Sequence, residues 1–441
     1  GKISKVLESL KNYKGIFFEE LYGRSYSDPL LAGSISGILI SDDNGNPKGA
    51  YGLEGVYDAE LQGVDGRTWH TKDVFGHRLL SSDYRQLQAQ NGSTLHLYLD
   101  RNVQHILMEK LKEGVLKYGA LRGDIVVMDP VTGAILGMVS YPTFNPEYWK
   151  FSPPDFYSNP AISTTYEPGS TFKVIVMAAG LDANVVSPET RCDNCSGPRR
   201  VGPHLIKTWN NQYQNNPTMT DVLVRSDNTG MVFVGDLLGG DRLYDYVKKF
   251  GFGKKTGVDL QDDAAAPLRS VSEMREIDFA TMTFGQGIAV TPLQMVRAVS
   301  AIANGGVMKT PRVVKEINRG GQVIPVDSGG EERVISLEAA DLITKMMTKS
   351  AAFGEAKFAF PKGYSIAGKT GTAQIAIEGE YDENKTIASF IGFAPAYEPK
   401  FVMLVKVDQP TSSPWGSETA APLWFDISKE LLRYYGVMPA E

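Results

Sequence analysis

Ser170 and Lys173 stand three residues apart in Ser170-Thr171-Phe172-Lys173, directly after the helix breaker Pro168-Gly169. The run from Phe172 to Leu181 is apolar and predicts a buried helix. Residues three apart share a helix face, so the Lys173 ammonium is within reach of the Ser170 hydroxyl. That pairing suits acyl transfer. A serine hydroxyl becomes a competent nucleophile when an adjacent base takes its proton. Lysine acts as such a base when burial or a neighbouring cation holds it neutral. A helix start also aims partial positive charge at whatever Ser170 binds. The same spacing also describes a helix cap followed by a solvated lysine, so it needs support from elsewhere in the chain.

Two further tripeptides supply that support: Ser226-Asp227-Asn228 and Lys369-Thr370-Gly371. Ser-x-x-Lys, Ser-Asp-Asn and Lys-Thr-Gly together form the motif set of penicillin-binding proteins and class A β-lactamases. On these motifs the chain resembles a class B penicillin-binding protein, a D,D-transpeptidase of peptidoglycan cross-linking. The resemblance runs from about Thr94 to Tyr435. Arg122 to Pro130 with Gly133 to Met138 is similar to the family's opening hairpin, and Tyr166 to Ser170 to its nucleophile loop. Phe284 to Gly287 with Thr291 to Gln294 is similar to the segment before its last helices.

The resemblance implies a reaction in two halves. Ser170 attacks the penultimate D-Ala carbonyl of a stem peptide and expels the terminal D-Ala; an amine of a neighbouring strand then attacks the ester. The implied roles are Lys173 as base, Ser226 as proton relay and Lys369 as the positive potential that keeps Lys173 neutral. Thr370 and Thr372 would hold the substrate carboxylate, and Asn228 the substrate amide or Lys173. The N–H groups of Ser170 and Thr372 would form the oxyanion hole. Gly368 and Gly371 are expected to clear side chains from the substrate's path. Asp227 has two readings, a chemical one and a turn residue bonding backbone. Strand alternation puts Lys369 and Gly371 on one face and Thr370 and Thr372 on the other, which conflicts with a single site. Strand twist and the reach of a lysine around its own backbone would reconcile them.

No cofactor, metal or nucleic acid is implied. The implied partners are peptidoglycan stem peptides, β-lactam antibiotics and a membrane glycosyltransferase of the cell-wall machinery. The implied location is the outer side of the bacterial cell membrane, on a single N-terminal anchor that this sequence, starting at Gly1, is expected to lack. Division, elongation and sporulation roles are not separable here, although the compact N-terminal region leans towards septal work. The enzymatic alternatives are a serine β-lactamase and a D,D-carboxypeptidase. Val258 to Leu268 carries aspartates without a Glu-x-x-Leu-Asn pattern, so no deacylating carboxylate is evident. A penicillin-sensing receptor domain is the non-enzymatic alternative.

Composition fits this picture. The net charge of −6, from 45 basic and 51 acidic residues, is too mild to argue for a polyanionic partner. No run of about 18 apolar residues occurs, so nothing here reads as a membrane span. The five histidines are scattered, against a Ser-His-Asp hydrolase. Cys192 and Cys195 admit a metal site with His204, a redox pair, or a small disulfide or free thiols; one histidine leaves the zinc signature incomplete, which favours the last.

The elements that must position these residues follow from periodicity. Strands are expected at 94–99, 124–129, 134–140, 389–394 and 401–407, with an edge-like strand at 369–375 and a helix at 101–118. Strands at both ends with helices between them predict an α+β fold, an antiparallel sheet flanked by helices. Residues 93–441 would form this transpeptidase domain and residues 1–92 a smaller pedestal. In the pedestal, a helix is expected over Ile3 to Tyr13, and short strands and loops over 50–61. Glu54 and Glu60 are expected to dock one domain on the other. Trp415 and the 411–414 stretch read as a mobile surface loop rather than as a wall of the acceptor groove.

Overall fold

The computed structural model describes residues 10, 13, 15 and 23–440, apart from 44, 76, 78–84, 328, 378 and 379. The helix expected over Ile3 to Tyr13 lies largely outside the described residues. Its scaffold is built from helix α1 (Arg101–Tyr118), strands β1 (Arg122–Met128) and β2 (Ile135–Tyr141), and helices α2 (Lys173–Asp182), α3 (Asn228–Leu238), α4 (Pro292–Ala303) and α5 (Leu337–Phe353). Strands β3 (Ala367–Ile377), β4 (Glu380–Ala394) and β5 (Phe401–Asp408) and helix α6 (Ala420–Tyr434) complete it.

The five strands form one antiparallel sheet in the order β3-β4-β5-β1-β2. Side chains alternate across a strand, so the continuous apolar runs of β1 and β5 must be covered on both faces. Val126, Met128 and Leu404 enter a core with α2, α4 and α5. Ile125, Val127 and Val405 enter a second core with α1 and α6, centred on Trp424. Helix α1 starts where the Asp100 carboxylate accepts the N–H groups of Asn102 and Val103, and it ends at Gly119 with φ 59°. Among the labelled strands β3 is an edge, as expected of the strand carrying Lys369.

Two expectations are corrected. Thr94–Leu97 is a strand, but it pairs with Val314–Arg319 in a separate three-stranded sheet rather than joining the main one. Residues 50–61 form two one-turn helices, Gly52–Val56 and Asp58–Leu61, in place of short strands. Helices this short are not stable alone. Packing sets them: Leu53 is buried, and the Tyr57 hydroxyl donates to Asp259 Oδ2 at 3.0 Å. Glu54 pairs with Arg24 inside the N-terminal region, whereas Glu60 reaches Arg319 of the three-stranded sheet.

Below the sheet surface, Lys406 Nζ lies 2.9 Å from Asp124 Oδ2 and 2.6 Å from Asp408 Oδ1, all three side chains being buried. Burial pushes the Lys406 ammonium down, but the two carboxylates outweigh it and hold its pKa above the ordinary lysine value. The ammonium also sits 5.5 Å from the ring of Tyr166, on the segment leading to Ser170. Lys406→Met should therefore strand two buried carboxylates and lower the unfolding free energy by about 3–5 kcal/mol, read by urea denaturation. A loss below about 1 kcal/mol would show that the carboxylates find other partners or protons.

Candidate active site

Ser170 sits in a 3₁₀ turn, Gly169–Phe172, that leads directly into α2. The turn is pinned from two sides: Gly169 N–H donates to Gly285 O at 3.1 Å, and Thr171 Oγ1 donates to Pro168 O at 2.7 Å. The following helix is buried from Lys173 to Leu181, as its apolar sequence predicts. Lys173 itself is 0% exposed. Its Nζ donates to Ser226 O at 2.6 Å, Asn228 Oδ1 at 2.7 Å and Ser226 Oγ at 3.2 Å. Three acceptors match the three protons of an ammonium. A neutral amine has two protons and a lone pair. Neutral Lys173 can therefore donate to two of these acceptors at most, leaving its lone pair to take up a proton.

Burial, then the neighbouring Lys369 ammonium, lower the Lys173 pKa to about 7, against the opposing pull of Glu355 and Asp227. Burial likewise holds Lys369 below its ordinary value, again opposed by Glu355. The two motif lysines thus share one low-dielectric region, and mutual repulsion favours losing a proton from Lys173.

The Ser226 turn supplies the acceptors through unusual backbone. Ser226 has φ 58°, a left-handed conformation rare for a residue with a Cβ. Asp227 follows as the N-cap of α3, accepting from Thr229 N at 2.8 Å, Thr229 Oγ1 at 2.8 Å and Gly230 N at 3.4 Å. Of its two readings, the backbone-bonding one is what the structure displays. Asn228 is the first residue of α3, and its Nδ2 donates to Lys207 O at 2.9 Å.

Strand β3 brings the third motif alongside. Thr370, Thr372 and Gln374 alternate onto one face and line a cavity of about 670 Å³ that also receives Ser170, Ser226 and Asn228. Lys369 starts on the opposite face and is buried. Its Nζ nevertheless donates to Thr370 Oγ1 at 3.0 Å and Thr370 O at 3.3 Å. The lysine curls around its own backbone, which removes the conflict posed by strand alternation. Thr372 Oγ1 accepts Gly416 N–H at 2.9 Å, tying β3 to the loop after β5.

The glycines have a different purpose from the one expected. A Cβ on Gly371 would lie 2.5 Å from Ser389 Oγ and 2.7 Å from Thr171 Cγ2, beneath the strand rather than in the cavity. One on Gly368 would meet the Phe390 ring at 2.5 Å. One on Gly169 would meet Thr372 O at 2.9 Å. Gly169 and Gly371 let the nucleophile turn and the edge strand touch, and Gly368 makes room for the Phe390 ring of β4, rather than clearing a path for substrate.

Three cavity features escaped the sequence reading. Glu355, after the end of α5, lines the cavity and accepts from Thr370 Oγ1 at 2.6 Å. It is a carboxylate in a site where none was evident, and no spacing rule links it to the three motifs. Trp209 and Trp415 face each other at 5.2 Å between ring centroids on the cavity wall, so the Trp415 loop is part of the groove rather than a free surface loop. His204 and Leu205, in the hairpin of Arg199–Val201 and His204–Ile206, line the same wall. Cys192 and Cys195 form a buried disulfide in the segment before this hairpin.

Comparison with known proteins agrees with this geometry. A family described as the penicillin binding protein transpeptidase domain matches residues 123–432. The chain belongs to the class B penicillin-binding proteins. It is 35% identical over 436 residues to stage V sporulation protein D of Bacillus subtilis, covering 97% of this chain and 66% of that protein. It therefore spans a little under two thirds of that relative's length. It is 28% identical over 441 residues to a probable peptidoglycan D,D-transpeptidase, PenA, of Neisseria gonorrhoeae, covering 99% of this chain and 73% of PenA. Among solved structures, penicillin-binding protein 3 of Mycobacterium tuberculosis complexed with aztreonam superposes with a TM-score of 0.83 at 29% identity, over 95% of this chain and 91% of that one. As in other penicillin-binding proteins, the α+β fold expected from the sequence is the one observed.

The glycine contacts give a prediction. Gly371→Ala should push β3 away from the nucleophile turn and slow acylation by a fluorescent penicillin by at least about tenfold, since small misplacements of a reacting geometry cost that much or more. Acylation at the wild-type rate would show that the strand and the turn move apart without consequence.

Proposed function

We propose that this protein is a serine D,D-transpeptidase that cross-links peptidoglycan stem peptides through an acyl-enzyme on Ser170 and is inactivated by β-lactams. The observation that carries this reading is the burial of Lys173 beside Lys369 with its nitrogen bonded to Ser226 and Asn228. A lysine with a pKa of about 7 is substantially neutral at physiological pH and can accept the Ser170 proton. The reaction then runs as acyl transfer. Ser170 Oγ attacks the penultimate D-Ala carbonyl as its proton passes to Lys173 Nζ. The N–H groups of Ser170 and Thr372 hold the oxyanion. The proton continues through the Ser226 hydroxyl to the departing D-Ala amine. An acceptor amine enters by the same route in reverse, losing its proton to Ser226 and Lys173 as the new amide forms and Ser170 is released. Thr370 and Thr372, with the Lys369 charge, bind the donor's terminal carboxylate.

Several wider assignments rest on family membership. Residues 1–92 are assigned to a pedestal and 93–441 to the catalytic domain. The working partner is a membrane glycosyltransferase, and the full protein acts outside the cytoplasm from a single N-terminal anchor. Among the described residues no helix is long and apolar enough to cross a membrane.

Three outcomes test the reading. Intact mass after incubation with penicillin should show one adduct, mapped to Ser170 and lasting many minutes; rapid turnover would favour a β-lactamase, and an adduct elsewhere would remove Ser170 from the chemistry. Lys173→Ala and Ser226→Ala should each slow acylation by a factor on the order of 10² to 10⁴ with little change in Tm, whereas Lys173→Arg should not rescue, because arginine stays protonated. The pH dependence has a definite sign. Lys173 is charged below its pKa of about 7 and neutral above it, so acylation should rise through neutral pH and level off on the alkaline side. A rate that is flat from acid to neutral pH would contradict the lysine base.

A further inference from the structure

Thr370 has one hydroxyl proton, and in this structure the proton points at Glu355. Thr370 Oγ1 donates to Glu355 Oε2 at 2.6 Å while accepting from Lys369 Nζ at 3.0 Å. The result is a relay of a buried ammonium, a hydroxyl and a carboxylate, whose Thr370 and Glu355 members line the cavity that also holds Ser170. Glu355 is held there by the end of α5. Ser350 Oγ donates to Leu223 O at 3.5 Å, and a Cβ on Gly354 would lie 2.3 Å from Ser350 O and 3.1 Å from Val224 O. The residue after Gly354 is thereby fixed close to the turn that carries Ser226.

We propose that Glu355 is a tethered carboxylate that occupies the Thr370 end of the donor-carboxylate subsite in the empty enzyme and sets how readily an anionic donor enters. This rests on the reading of Thr370 and Lys369 as the donor-carboxylate site. An incoming carboxylate at Thr370 needs the same proton and the same lysine. Two carboxylates cannot both accept one hydroxyl proton, and their like charges repel at that separation. Donor binding therefore displaces Glu355 from Thr370, and the donor's carboxylate takes over its place in the relay. Until then Glu355 offsets the charge of the buried lysine pair, opposing the burial that lowers both Lys173 and Lys369. Lys369 itself donates to the Thr370 hydroxyl and carbonyl, so Glu355 acts on its charge through space and through Thr370.

The test compares a penicillin bearing its free carboxylate with the same penicillin as a neutral carboxamide. Second-order acylation rates are measured for both on the wild type, Glu355→Gln and Thr370→Val, with adducts mapped by mass. Glu355→Gln should raise the acid-to-amide rate ratio, by a factor on the order of ten, because it removes the competing charge. Thr370→Val should lower that ratio. Should Glu355→Gln fail to fold, Glu355→Ala removes the same charge and carries the same expectation. An unchanged or lower ratio in the Glu355 variants, with Ser170 still labelled, overturns this proposal alone. An acyl-enzyme that lives much longer in Glu355→Gln also overturns it, by making Glu355 the deacylating base. Absence of Ser170 labelling in the wild type overturns the transpeptidase reading and this proposal with it.

Discussion

The site depends on keeping an amine out of water beside a second cation. Removing an ammonium from water is expensive, and a like charge nearby adds to the cost. Lys173 avoids that cost by losing its proton near neutral pH. Much of the surrounding structure serves this end. The apolar helix α2 encloses the lysine stem, the left-handed backbone at Ser226 turns both its carbonyl and its hydroxyl towards Nζ, and the Asp227 cap fixes the start of α3 so that Asn228 supplies the third acceptor. The strain at Ser226 is held in place by a helix on each side, Met219–Val224 and α3.

Lys406 is the internal control for this argument. It is as buried as Lys173, yet its pKa is shifted upward rather than downward. The difference lies in the contacts: Lys406 touches two carboxylates, whereas Lys173 Nζ bonds two neutral side chains and a carbonyl. Burial is common to both, and the partner's charge decides the proton. Two lysines with opposite shifts can thus be equally buried in one sheet-and-helix fold. Glu355 lies between the two cases, close enough to offset charge on the motif lysines but bonded to Thr370 rather than to either ammonium.

Contact between the nucleophile turn and the edge strand is the second constraint. Gly169 and Gly371 allow that contact because a Cβ on either would enter the opposite element. Ser170 and Thr372 therefore line one cavity, which the Trp209–Trp415 pair also lines. An edge strand leaves backbone groups without a neighbouring strand, and here the open side of β3 faces the groove. The Gly416 N–H to Thr372 Oγ1 bond then ties the loop after β5 to this strand, joining the loop that carries Trp415 to the strand that carries Thr370 and Thr372.

Local chemistry was legible in the sequence. Ser170, Lys173, Ser226, Asn228, Lys369, Thr370 and Thr372 belong to motifs whose order is itself a signal, and β1, β2, β5 and α1 follow from apolar periodicity. Short-range rules suffice for these because each depends on neighbours within a few residues. What lay beyond them depended on approach between distant segments. The pairing of Thr94–Leu97 with Val314–Arg319, the one-turn helices at 52–61 and the place of Trp415 on the groove were set by packing, which outweighs weak local preference in short elements. The duty of Gly371 was misread for the same reason, since a missing Cβ reveals nothing about what would have collided with it. Glu355 had no motif at all. Sequence alone named the groups proposed to do the chemistry; the tertiary structure decided which charges face one another, because charge interactions act through space and a buried proton responds to all of them at once.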